Sequence, residues 1–386
     1  MTRTIAFLVY DLRASGVVRN AVRIAAAARD AGLDARLWPI RLQGDFASSL
    51  PDGLPVEPVL PGITRRQRDI DSLLAVPALA GAIAERRPAI LFSSGNQMHL
   101  HAALAMRRTR GSERPRFVGR ASNAVISAGH AVWRRALWPA ERFQYRAMDR
   151  IVAVSEELAG DLSRSLDLAP ASVTVIPNGV DLERIAGLAR EPVEHPFFAN
   201  DGVPVILGVG RLSRQKNFEA LLRGFARARS QRPLRLVILG PGGETRRARL
   251  RRLAADLGVG EAVAIEGYCA NPFPYMRRAG LLALTSRWEG ASNVLLEAMA
   301  CGCPVVAVKV PTGVAEVLEN GAIGPLVAPG DDAALAAAML DRLARPRASD
   351  SLVARAGRYG LRTTLDAYVA FLTGELDVFF RDRSRT

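Results

Sequence analysis

The chain has 386 residues, a length that predicts two domains or three, and at 49% hydrophobic and 23% charged its composition excludes wholesale disorder. No apolar run approaches the ~20 residues needed to cross a bilayer. Three cysteines, Cys269, Cys301 and Cys303, cannot build a disulfide framework, so a reducing cytoplasm is the expected compartment. The net charge of +14 rests on 50 Arg and only two Lys, Lys216 and Lys309, and both halves of the chain share it. Such a chain is drawn to anionic surfaces and phosphorylated ligands.

In chain order, residues 5–10 form a short apolar run that meets Asp11 and Arg13 without a small-residue cleavage site, which reads as a first strand and not a signal peptide. Further strands are predicted at 35–40, 90–94, 116–121, 151–155 and 173–177, with helical periodicity at 17–31, 99–107 and 155–165. The segment 178–204, with several Pro, Gly and Asp, breaks both periodicities and marks a boundary. Beyond it, strands are predicted at 203–209, 234–239, 263–267, 281–285, 305–308 and 325–327, and helices at 217–231, 246–257, 293–300 and 331–345. The alternation predicts an α/β chain of two doubly wound, mainly parallel domains, residues 1–180 and 204–360, joined by a linker at 181–203. A C-terminal helical segment, 361–386, is expected to pack back on the first domain. Ligands of such domains bind at the carboxyl ends of the strands, in a cleft.

Two loops stand out there. Strand 203–209 runs into Gly210-Arg211-Leu212-Ser213-Arg214-Gln215-Lys216-Asn217, which opens a helix. The glycine permits close approach to the backbone, and Arg211, Lys216 and the helix dipole together suit a diphosphate. After strand 281–285 comes Ser286-Arg-Trp-Glu289-Gly290-Ala-Ser292-Asn293-Val294-Leu295-Leu-Glu297. Ser292 or Asn293 would cap the next helix and leave the amides of Val294 and Leu295 facing an anion. Glu297, one turn further in, is suited to accept hydrogen bonds from ribose hydroxyls.

Together with Ile151-Val-Ala-Val-Ser155-Glu-Glu-Leu, Val175-Ile-Pro-Asn178-Gly179-Val-Asp181 and the trailing Ala298-Met-Ala-Cys-Gly302-Cys-Pro304, these motifs resemble, in order, the family 4 glycosyltransferases. The resemblance implies the GT-B fold, with two Rossmann-like domains facing across a cleft. It implies retaining, metal-independent transfer of a sugar, of hexosyltransferase type, from a nucleotide-diphosphate donor to an acceptor hydroxyl, with no cofactor. Arg211 and Lys216 match the cations on the diphosphate, Glu289 the glutamate near the transferred sugar, and Glu297 that on the ribose. Gly210, Gly290, Asn293, Val294, Leu295 and Tyr268 fall on the donor side. Gly16 matches the N-terminal glycine loop over the phosphates, although Ser15 stands where the family usually has a first glycine. Arg120, Ser122 and Asn123 occupy the acceptor side, where many members carry a histidine. Leaving-group charge is the main demand on such a site, and front-face attack would explain the absence of a paired carboxylate nucleophile and acid.

The expected acceptor is a lipid-linked or cell-envelope glycan, met at the inner face of the cytoplasmic membrane. Arg65, Arg66 and Arg68, followed by apolar residues 73–79, form a patch suited to anionic headgroups. Two rival readings are a nucleotide-sugar epimerase of the same fold and a non-catalytic nucleotide-sugar-binding module. The first needs acid/base groups that the four poorly placed histidines do not supply, and the second leaves both glutamates and the cation pair without a role. Asp69-Ile-Asp71 follows no strand end, His99 and His101 point to different faces of a helix, and Cys301-x-Cys303 lacks a partner pair, so no metal site is expected. The basic tract 107–116 has no interleaved aromatics and reads as a solvated turn, without nucleic acid as a partner.

Overall fold

The computed structural model describes residues 3–13, 15–60, 68–109, 114–124, 131–199, 201–345 and 347–383. Compactness divides the chain into a unit of Met1–Pro177 with Arg362–Thr386 and a unit of Asn178–Leu361.

The first unit runs β1 (Ile5–Val9), α1 (Gly16–Asp30), β2 (Ala35–Pro39), α2 (Arg68–Arg86), β3 (Ile90–Ser93), α3 (Asn96–Met106), β4 (Arg116–Ala121), α4 (Ala131–Arg146), β5 (Arg150–Ala153), α5 (Glu156–Leu166) and β6 (Val173–Val175). The second runs α6 (Leu182–Leu188), β7 (Val205–Val209), α7 (Phe218–Arg229), β8 (Arg235–Leu239), α8 (Glu244–Asp256), β9 (Val263–Ile265), α9 (Phe273–Arg278), β10 (Leu281–Leu284), α10 (Asn293–Ala300), β11 (Val305–Val308), α11 (Val314–Val317), β12 (Leu326–Val327), α12 (Asp332–Ala344) and α13 (Ser349–Gly357). The last helix, α14 (Leu361–Arg383), returns to the first unit. Each unit holds one six-stranded sheet in which every pair is parallel, in the orders β2-β1-β3-β4-β5-β6 and β9-β8-β7-β10-β11-β12. Strands such as β1, β10 and β11 are buried at every position, as parallel strands covered by helices on both faces must be, and hence read as unbroken apolar runs.

Three features differ from, or extend, the predicted pattern. Residues 181–203, predicted as a linker, begin with α6, whose Ile185 is 4% exposed in the second unit's core. Asp181 caps this helix by accepting the Arg184 amide at 3.1 Å, and Pro196 opens a single 3-10 turn whose Phe197 and Phe198 pack on the same core. The Asp and Pro that suggest a break are helix-start residues. Helices α2 and α4 lie outside the predicted ones, and each contains a proline, Pro77 or Pro139, which sequence rules treat as a stop. The third feature is the grip of α14. Tyr368, Leu372, Leu376 and Phe379 complete the core formed by β1, α1, β3 and β4. Glu375, 5% exposed, holds Arg116 at 2.6 Å and Arg150 at 3.5 Å.

In the same unit His99 of α3 is fully buried and shares a 2.8 Å hydrogen bond between its Nδ1 and Ser93 Oγ. Burial pushes its pKa from 6.5 down to about 3, and the nearby Arg120 charge adds to the shift. The unfolded chain therefore takes up a proton here between those two values while the native state does not, so stability falls as pH drops through that window. His99→Gln should flatten the pH dependence of unfolding free energy by about 1.4 kcal/mol per pH unit between pH 6 and 4. Urea melts across that range check this, and an unchanged slope would contradict it.

Candidate functional site

In the second sheet the chain order reverses between β7 and β10, the switch point at which adjacent loops diverge and open a binding crevice. The two loops with the charged motifs leave these strands. Gly210 ends β7 with φ +147°, and its amide donates to Leu239 O at 2.9 Å. A Cβ there would lie 2.9 Å from Lys216 Cε, so only glycine lets the lysine stem cross the backbone this closely. Lys216 Nζ reaches Glu289 Oε1 at 2.6 Å, and Ser286 Oγ donates to the same oxygen at 2.6 Å. The two charged side chains are 15% and 8% exposed.

Backbone bonds hold this contact in place. The Arg287 amide donates to Gln215 O at 2.7 Å and Gln215 Nε2 to Trp288 O at 3.0 Å, while Thr285 Oγ1 donates to the carbonyls of Lys216 and Asn217 at 3.2 Å. The Thr312 hydroxyl donates to the carbonyl of Glu289, and Gly313 packs against the backbone of Gly290. Arg211 is exposed and has no ion pair among the described residues, so the loop that carries the paired Lys216 also offers an open cation.

At the start of α10 the anion-facing amides predicted from the sequence are only partly available. The Leu295 amide donates to Ser292 O at 3.1 Å and its side chain is fully buried, which removes it from a ligand-facing role. Ser292 stands at the cap position without a capping bond, and its buried Oγ has no partner among the described residues. Asn293 Oδ1 instead accepts from Asn178 Nδ2 at 2.7 Å, which also donates to Ala291 O at 3.2 Å, so the Pro-Asn-Gly motif braces the helix start. Val294 and Glu297 are half-buried, the latter one turn into the helix. Tyr268 is 65% exposed after β9, the edge strand two positions from β7, and does not join the Lys216–Glu289 group.

In the first unit, Gly16 is the first residue of α1, and Ser15 has a concrete role: its Oγ accepts the Val18 amide at 3.3 Å as N-cap. Ser122 and Asn123 follow β4 and are tied to the start of α3 by Asn96. Its Oδ1 accepts from the Ser122 amide at 3.0 Å and hydroxyl at 3.2 Å, and its Nδ2 donates to Asn123 O at 3.4 Å and Tyr145 OH at 3.2 Å. Asn96 carries no motif signal, and only the fold reveals it. Arg120, placed on the acceptor side by the sequence, is 2% exposed and its Nε donates to Tyr368 OH at 2.9 Å, which ties it to α14.

The other flagged groups are explained locally. Arg114 pairs with Asp149 at 3.1 Å, and Arg107 lies over the Phe143 ring. Burial pushes the thiols of Cys301 and Cys303 up to about 12, which keeps them protonated. Arg65 and Arg66, and the side chains of Arg68, Asp69, Asp71 and Leu73, lie outside the described residues.

Two parallel six-stranded units, each with a switch point at the carboxyl ends of its strands, define a doubly wound, Rossmann-like α/β protein. Family models described as Glycosyltransferase Family 4 and as Glycosyl transferases group 1 match residues 14–184 and 203–345, which together span most of the chain. The chain belongs to the family 4 glycosyltransferases, of GT-B fold. It is 34% identical over 185 residues to N-acetylgalactosamine-N,N'-diacetylbacillosaminyl-diphospho-undecaprenol 4-alpha-N-acetylgalactosaminyltransferase of Campylobacter jejuni, covering 47% of each chain. It is 32% identical over 274 residues to D-inositol 3-phosphate glycosyltransferase 2 of Catenulispora acidiphila, over 65% of this chain and 62% of that one. The matches thus span about half to three-fifths of these relatives. Among solved structures, Anabaena HepE in complex with UDP and glucose superposes with a TM-score of 0.77 at 21% identity, covering 96% of this chain and all of that one. WaaG, a glycosyltransferase involved in lipopolysaccharide biosynthesis, gives 0.73 at 18% identity over 96% of this chain and all of that one. These likenesses establish the fold.

Gly313 is a test of how tightly the β10–α10 loop is held. Its φ is +75° and a Cβ would fall on the carbonyl oxygen of Gly290. Gly313→Ala should cost about 1–3 kcal/mol of stability and shift the loop bearing Glu289. Thermal denaturation measures the first effect, and a melting temperature equal to that of the unaltered protein would show the loop has slack.

Proposed function

We propose that the chain transfers a sugar from a nucleoside-diphosphate donor to an acceptor hydroxyl with retention of anomeric configuration, on a lipid-linked or cell-envelope glycan. The observation that carries the reading is the Lys216–Glu289 pair at the β7/β10 switch point, with the open cation of Arg211 on the same loop. A diphosphate there meets Arg211 and the start of α10, and draws on Lys216 as the second cation. Glu297, half-buried beyond it, takes the ribose hydroxyls, and Glu289 faces the sugar. With front-face geometry the bond from the anomeric carbon to the diphosphate oxygen breaks as the acceptor oxygen bonds to that carbon from the same side. The acceptor proton passes to the departing phosphate. Two cations aimed at that phosphate supply the charge stabilisation, so the reaction as read requires neither metal nor cofactor.

The names of the relatives bear on the substrates. One contains a diphospho-undecaprenol-linked glycan, others an inositol phosphate, and a structural neighbour holds UDP. UDP-sugars and polyprenyl-diphosphate glycans are accordingly the first donors and acceptors to try. No helix among the described residues is long and apolar enough to cross a membrane. Access to a lipid-linked acceptor would come from peripheral docking at the inner membrane face through Arg65, Arg66 and Arg68.

Arg211→Ala and Lys216→Ala should each leave the fold intact and lower turnover by roughly 10²–10³. Release of nucleoside diphosphate from radiolabelled nucleotide sugars, with and without lipid extract, reads this out. Near-normal rates in both variants would remove the clamp from the mechanism.

The two glutamates should separate by readout. Glu297→Gln weakens binding of the nucleoside diphosphate alone, whereas Glu289→Gln spares that binding and depresses transfer. Calorimetry with the free nucleotide distinguishes them, and equal losses in both variants would contradict the assignment.

A further inference from the structure

Glu289 uses its two carboxylate oxygens unequally. Oε1 receives both the Lys216 ammonium and the Ser286 hydroxyl, each at 2.6 Å. Oε2 makes no hydrogen bond among the described residues, yet it is not one of the sealed polar atoms left without a partner, so it keeps access to solvent. Ser286 itself is 1% exposed at the end of β10. It is too deep to touch a ligand in the crevice, and its hydroxyl is spent on Glu289. Lys216 lies on the other loop and is half-buried, and its backbone is anchored separately by the Thr285 hydroxyl.

We infer that Ser286 is a positioning residue that fixes Glu289 through Oε1 so that Oε2 accepts a hydrogen bond from a hydroxyl or amide N–H of the transferred sugar. The inference rests on the proposed transferase activity and deepens it. A diphosphate carries more charge than a carboxylate and competes for the lysine, whose three protons can be shared or withdrawn. Ser286 cannot be recruited in this way, because no ligand reaches it. Once the donor is bound it is the contact that still holds Oε1, and a carboxylate deprived of it would be free to rotate. The arrangement selects for donors that present a proton to Oε2 and against sugars lacking that group, since an acceptor that a bound donor covers and leaves unpaired is costly. The donor class is thus a sugar with a free hydroxyl or acylamino group toward Glu289.

The test compares Ser286→Ala with the unaltered protein in two assays. Calorimetry with UDP, GDP and ADP should give the same dissociation constant for both proteins. The rate constant for nucleoside diphosphate release from the matching nucleotide sugar should fall about 10–100-fold in the variant. With monodeoxy donors, one position should slow the unaltered protein by a similar factor, and with that donor Ser286→Ala should add nothing further. Ser286→Thr, which keeps the hydroxyl, should recover part of the rate. A parallel loss of nucleotide affinity and rate, or an unchanged rate in Ser286→Ala, overturns the positioning role while leaving the transferase reading in place. An unaltered protein that binds no nucleoside diphosphate overturns both.

Discussion

The second unit is organised around a nearly buried ion pair between two loops of different strands. Removing two charges from water costs several kcal/mol per ion, and their attraction repays that only when geometry and additional hydrogen bonds are good. Here the geometry comes from outside the pair: a glycine that admits the lysine stem, a serine on the carboxylate, and threonine hydroxyls that lock the carbonyls of Lys216, Asn217 and Glu289. An apolar pair would pack there at less cost, so stability alone does not account for charges in this place. What the pair provides is a cation and a carboxylate held ready at the mouth of a sheet.

The two sheets use the doubly wound plan differently. In the second, the charged loops flank the point between β7 and β10. In the first, the corresponding point lies between β1 and β3. The charges that follow β1, Asp11 and Arg13, are spent on each other in an exposed turn. Near that point the Ser15 cap, Gly16 and the Asn96 amide that ties Ser122 and Asn123 supply neutral hydrogen-bonding groups.

Much of this is legible in the order of amino acids alone. Strands buried on both faces announce themselves as apolar runs, and the motifs from Val175 to Pro304 sit at strand ends because loops there carry the chemistry. The family follows from their order. What local pattern does not show are the interactions that join distant segments. Nothing near Arg120 tells that Tyr368, 248 positions away, takes its guanidinium, so a buried structural arginine reads as an acceptor contact. The Leu295 amide reads as free in the sequence, whereas in the fold it donates to the Ser292 carbonyl and closes the turn. Ser286 resembles any polar residue after a strand, and only its 2.6 Å bond to Glu289 sets it apart. Local pattern specifies elements, while pairing of buried polar groups is a property of the assembled core.

The return of α14 bears on how the chain is made. The second unit is one continuous stretch, Asn178–Leu361, whereas the first is completed only by residues that follow it. A ribosome delivers the first sheet early, but Tyr368, Leu372 and Glu375 emerge after the whole second unit has been synthesised. Domains usually fold from the N-terminus as they appear. This chain inverts that order at the end. The second unit can close while β1 and β3 still show apolar surface to solvent, and while Arg116 and Arg150 wait for the Glu375 carboxylate. The nascent first unit is the stage at which this protein most needs protection from aggregation.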